Sequence, residues 1–142
     1  MQAHTYLNFD GNCRQAMEFY AGAFGAEDVH SMTFAEAPAD VNLPANGGDR
    51  ILHFRLAVGK LVLMGSDCPP GMPFHVGNNF AVMLDCDREE QVDEYFSRFS
   101  EGGMVVMPVA QTFWGARFGM VRDQFQVTWM FSHSKDQHGA SA

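Results

Sequence analysis

Basic charge is scarce in this chain: 9 Lys and Arg stand against 17 Asp and Glu among 142 residues, a net charge of −8. The basic residues are scattered and form no run. A general nucleic-acid binder needs a basic patch to displace counterions, so that class is excluded. Cysteine is also scarce. Cys13, Cys68 and Cys86 are odd in number, widely spaced and without a CxxC pair. That excludes a disulfide framework and a structural zinc site, and predicts free thiols in a reducing cytoplasm. No apolar run approaches the roughly 20 residues of a membrane-spanning helix. The start, MQAHTYLNFD, lacks the basic and apolar regions of a secretory leader, so a cytoplasmic protein with no membrane partner is expected. GxSxG, HExxH and phosphate-cradling glycine loops are missing as well, which removes the usual signatures of serine hydrolases, zinc proteases and nucleotide enzymes.

What is present is apolar material, at 46% of residues, with 13 Phe, 10 Met and 2 Trp. That suffices for one core at this length. Residues 4–9 alternate and predict a strand. Asp10-Gly11-Asn12 predicts a turn with Asn12 as helix cap, and 14–24 carries Ala16, Met17, Phe19, Tyr20 and Phe24 at mainly helical spacing, ended by Gly25. A strand at 28–35, a Pro/Gly/Asn-rich loop at 38–49, and strands at 50–58 and 60–66 joined by a hairpin at Gly59-Lys60 follow. Residues 67–78 hold three prolines and two glycines and read as a connection.

The order then repeats: strand 80–86, cap at Asp87, helix 88–99, stop at Gly102-Gly103, strand 104–108, aromatic loop 111–115, and a hairpin of 116–122 with 126–131 turning at Asp123-Gln124. The chain thus reads as an α+β protein made of two βαβββ modules, about 3–66 and 79–132, within one domain spanning 1–142. Each module alone has little core, so a curled mixed sheet around one shared cleft is expected. The tail, 133–142, is polar and is expected to be flexible.

The run GNCRQAMEFYAGAFGAE, then GKLVLMGSD, GNNF and TFWGARFGMVRDQFQVTWM, appear in an order that resembles PhnB-like proteins of the glyoxalase/bleomycin-resistance/dioxygenase (vicinal oxygen chelate) superfamily. The likeness covers about residues 4–131. It implies the paired βαβββ fold and a homodimer. It also implies a divalent-metal position on four strands, falling here on His4, on Met64 or Leu63, on Asn79 or Ala81, and on Met130. Methionine and alanine do not replace carboxylates around a hard or borderline ion. No metal or other cofactor is therefore expected. His4, joined by His53 and a carboxylate, is the lesser alternative.

The aromatic and thioether content suits a flat or apolar small organic molecule. Tyr6, Phe54, Met64, Phe113, Trp114, Phe118 and Trp129 are expected to border the cleft, and Asn8, His53, Arg55, Ser66, Asp67, Asn79 and Arg117 to orient a ligand. The ligand-binding set drawn from these is Tyr6, Asn8, His53, Met64, Ser66, Trp114, Phe118 and Trp129. Glu36 and Asp67 are the candidates for acid–base catalysis, each weighed against a loop or capping role. A small-molecule binding protein is the leading reading. A metal-dependent lyase, isomerase or dioxygenase is second, and an interaction scaffold third.

Overall fold

A computed structural model describes residues 1–38 and 47–135; the middle of the expected 38–49 loop and the end of the expected flexible tail lie outside the described residues. The elements follow the order β1 Thr5–Phe9, α1 Cys13–Phe24, β2 Asp28–Thr33, β3 Ile51–Val58, β4 Leu61–Asp67, β5 Val82–Asp85, α2 Glu89–Ser100, β6 Met104–Gln111, β7 Ala116–Arg122 and β8 Thr128–Ser134. They fall into two compact units, 1–75 and 76–142.

In the first unit the sheet order is β1-β4-β3-β2, with β1 parallel to β4 and the other pairs antiparallel. In the second it is β5-β8-β7-β6, with β5 parallel to β8. The two orders differ by four strand numbers throughout, so each unit is one βαβββ module with a helix against one face. The fold is α+β, two four-stranded mixed sheets that do not close.

Helix α1 buries Cys13, Ala16, Met17 and Tyr20, a stripe at three- and four-residue steps. It lies over Gly65 of β4, where an added Cβ would stand 3.3 Å from Met17 Sδ. Gly25 ends the helix in the left-handed region at φ 68°. Helix α2 opens on Glu89 and Glu90 and closes near Arg98, charges that suit its dipole. Beneath it Phe99 meets Trp129 and Phe131 edge-on, at 5.1 and 5.2 Å between ring centroids.

Several local expectations need correction. Asn12 is the α1 N-cap residue but its side chain makes no capping bond; Asp67 takes the Gly11 and Cys13 N–H groups instead. Helix α2 is capped at Arg88, not Asp87, with Gln91 Oε1 accepting from the Arg88 N–H at 3.0 Å. Strand β6 continues past Pro108 to Gln111. It is an edge strand with two register shifts, where a missing N–H is tolerated. Gln126 sits in the turn before β8 at φ 72°, not in a strand. Finally, β8 runs on through His133 and Ser134, which sequence polarity had assigned to the tail. Ser132 there is buried, and His133 Nδ1 lies 2.8 Å from the Cys86 carbonyl.

Candidate ligand-binding faces

Alternation along a strand sends odd and even residues to opposite faces. In the first unit Leu63, Gly65 and Asp67 of β4 are buried on the α1 side, together with Phe54 and Leu56 of β3. The opposite, open face then follows from register. One row runs Tyr6, Met64, Arg55, His30; the next runs Asn8, Ser66 on β1 and β4, with His53 and Met32 continuing it on β3 and β2. Five of the sequence-predicted binding residues, Tyr6, Asn8, His53, Met64 and Ser66, therefore share this face. The Tyr6 hydroxyl lies 3.4 Å from His53 Nδ1.

Two residues that sequence reasoning passed over complete the polar side. Asp28 on edge strand β2 accepts from Arg55 Nη1 at 3.3 Å, and its other oxygen is 2.9 Å from His30 Nε2. The signal available was the period-two placement of Asp28, His30 and Met32. Phe54, expected at the cleft, is instead buried on the α1 side.

Neither acid–base candidate is poised for chemistry. Asp67 is 4% exposed, and its two oxygens accept from the backbone N–H groups of Gly11, Cys13 and Ile51 at 2.7, 3.0 and 2.9 Å. It ties the β1–α1 turn to the start of β3. Glu36 is exposed and folds back on Thr33, accepting from its N–H at 3.1 Å and its hydroxyl at 2.9 Å. Those bonds, the backbone one first, hold its carboxyl below the ordinary carboxylate value, which makes it a weaker base.

In the second unit, Gly119, Val121, Trp129 and Phe131 face α2. The Gly119 position is packed against Phe96, and Trp129 and Phe131 against Phe99. Trp129 is wholly buried, and its indole N–H donates to Asp123 Oδ2 at 2.8 Å. That places it in the core under α2 and corrects the expectation that it lines a binding surface. Arg117 also lies on the α2 side, held by two bonds of 2.9 and 2.7 Å to Asp93. Phe118 is on the opposite face, paired with Ser132 and only 8% exposed. Phe113 and Trp114 project from the β6–β7 turn, 97% and 60% exposed, edge-to-face at 4.8 Å. Thr112 clamps that turn, its N–H and hydroxyl both donating to the Ala116 carbonyl.

A family model described as 3-demethylubiquinone-9 3-methyltransferase matches residues 1–132. The chain belongs to this family. Protein YjdN of Escherichia coli (strain K12) is 30% identical to this PhnB-like chain over 146 residues, covering 96% of the chain and 98% of the relative. Protein PA1353 from Pseudomonas aeruginosa is 37% identical, with a TM-score of 0.85 over 94% of this chain and 98% of the other. A PhnB protein from Bacillus cereus, titled a putative 3-demethylubiquinone-9 3-methyltransferase, is 22% identical with a TM-score of 0.73, over 94% and 100%. More distant solved structures at 14–17% identity and TM-scores of 0.60–0.61 share the fold. They include a glyoxalase/bleomycin resistance protein/dioxygenase family enzyme from Burkholderia phytofirmans PsJN. The PhnB-like chain thus has the glyoxalase/bleomycin-resistance fold.

The divalent ion implied by that superfamily does not fit the donors at the corresponding positions. His4 is exposed just ahead of β1, and Asn79 and Ala81 are exposed just ahead of β5. Leu63 is buried toward α1, while Met64 and Met130 present thioethers on the opposite faces of their sheets. One imidazole with thioethers and an amide is a poor set for a hard or borderline ion. Among the described residues no group of three or more His, Cys, Asp or Glu side chains is arranged to hold a metal ion.

Proposed function

We propose that this PhnB-like chain is a binding protein for a small, flat, partly apolar organic molecule, acting without the superfamily's divalent metal. The observation that carries the reading is the convergence of Tyr6, Asn8, His53, Met64 and Ser66 on one open sheet face. Such a face combines ring and thioether surface with a few polar groups, the composition of small-ligand sites. Trp114 and Phe118 are candidate contacts on the second unit's own surface, Trp114 exposed at a turn and Phe118 on the sheet face away from α2; Trp129 is left out because it packs in the core.

The reading includes the homodimer implied by the resemblance, to be checked by light scattering. A cytoplasmic location is supported by three cysteines that are free rather than bonded. No helix among the described residues is long and apolar enough to cross a membrane.

The test uses 8-anilinonaphthalene-1-sulfonate as a flat aromatic probe, titrated calorimetrically into the full chain. Saturable binding is expected, weakened about tenfold or more by Tyr6→Ala or His53→Ala, the equivalent of about 1.4 kcal/mol. Binding that is absent, or that neither substitution changes, overturns the assignment of this face. Trp114→Phe is titrated in the same way, and an affinity equal to that of the native chain removes Trp114 from the reading. Chemical conversion of a bound molecule would move the reading from binding to catalysis.

A further inference from the structure

One row across the open face of the second sheet holds a methionine from each of its four strands, and a fifth, Met104, lies in a neighbouring row opposite Arg122. Met83 of β5 pairs with Met130 of β8, Met130 with Met120 of β7, and Met120 with Met107 of β6. Directly paired residues point to the same face with Cβ atoms about 4.5–5.5 Å apart. Three rotatable bonds then let neighbouring sulfurs approach one another or turn toward a common centre. The hydrophobic core of this unit lies on the other face, with Val121, Trp129 and Phe131, so the row does not fill it. Met83 and Met107 are about half exposed, while Met120 and Met130 are half-buried between them.

From this arrangement we infer that the row is a binding site for a soft monovalent cation, Cu(I) or Ag(I). Thioethers are neutral, polarizable donors that select Cu(I) over hard divalent ions. They carry no proton at neutral pH, so no proton competes for them. A row of Leu or Val would offer the same apolar area with no lone pairs. Two steps along β5 from Met83, on the same face, Asp85 supplies a negative charge at the end of the row. Arg122 lies beyond the other side, paired with Met104 and Thr128, and confines the favourable potential to the Asp85 side. The site requires no change in oxidation state and no covalent step. It differs from the organic-ligand reading, which is carried by the first unit's sheet; of the residues that reading names, Phe118 shares this face, in the row next to Met120.

The full-length chain labelled with 13C at the methionine methyls, titrated with Ag(I) nitrate in chloride-free buffer, tests this directly. One equivalent is expected to shift the methyl signals of the adjacent pair Met120 and Met130 most, and those of Met83 and Met107 on either side of them less. Met17, on the buried face of α1, and Met72, in the 67–78 connection, stay in place. Cys68 is the partly exposed thiol, so the titration is repeated in Cys68→Ser and is expected to give the same four shifts. Met120→Leu and Met130→Leu keep the volume and are expected to weaken Ag(I) binding at least about tenfold. Equal shifts at Met32 and Met72, no saturable shift at Met120 and Met130, or an equal response to Zn(II) would each overturn the site.

Discussion

Asp67 and Asp123 are buried carboxylates of the same kind, each placed where a turn would otherwise leave backbone N–H groups without acceptors. Asp67 serves Gly11, Cys13 and Ile51. Asp123 serves the Phe125 and Val127 N–H groups and the Trp129 indole. A buried donor left unsatisfied costs about 1–3 kcal/mol. Asp67→Ala strands three at once and is expected to lower unfolding free energy by about 3 kcal/mol or more, read from urea denaturation. Asp67→Asn keeps one carbonyl oxygen but turns an NH2 group toward a donor, so it should fall between alanine and the native residue. Glu36→Ala serves as the contrast. Its carboxylate is exposed, and the change should leave the urea midpoint close to that of the native chain. A Glu36→Ala loss as large as that of Asp67→Ala would mean the two carboxylates have been ranked wrongly.

At the scale of elements, both helices and all eight strands among the described residues were legible because their apolar residues repeat at 3.6 or 2. What the pattern could not show was governed by tertiary partners. Strand β8 continues through Ser132, His133 and Ser134 because β5 and β7 pair with it there, not because those residues look like strand. Asp67 was visible as a carboxylate at a strand end, but the three donors it serves come from segments up to 56 positions away. The sharing of one face by Tyr6, Asn8, His53, Met64 and Ser66 was implicit in alternation, whereas the methionine row depends on cross-strand register, which no local pattern contains. Trp129 misled because a tryptophan in an alternating strand reads the same whether it faces ligand or helix. The contact between α2 and β7 gives a direct test of which face is which. A Cβ on Gly119 would stand 2.8 Å from both Phe96 and Val109, so Gly119→Ala must push the helix or β6 outward. A loss of about 1–3 kcal/mol is expected from overpacking. Adding Phe96→Leu should recover part of it in a double-mutant cycle. Strictly additive losses would show that α2 does not rest on Gly119.

Across the whole molecule, one buried thiol stands at or just before the start of each helix, Cys13 in the first unit and Cys86 in the second. Burial is the main cause that pushes Cys13 from 9.0 up to about 12 and Cys86 from 9.0 up to about 11. The sign of the linkage follows from which state ionises first. Below pH 9 both thiols are neutral in folded and unfolded chains alike, and they leave stability unchanged. Between pH 9 and about 11–12 the unfolded thiols lose protons while the folded ones keep them. Stability therefore falls there by up to about 1.4 kcal/mol per pH unit for each thiol. Denaturation midpoints taken from pH 8 to 11 should show this decline, and it should be shallower in Cys13→Ala, whose midpoint at pH 8 already includes the loss of packing. The same burial sets thiol reactivity. Cys68 is raised too, by burial and by its bond to Asp10, but it alone of the three is partly exposed. With 5,5′-dithiobis(2-nitrobenzoate) at pH 8, one thiol per native chain should react promptly, and all three should react in urea. Three equally fast thiols in the native protein would mean that the helix starts at Cys13 and Cys86 open to solvent, and the alkaline loss of stability should then disappear with them.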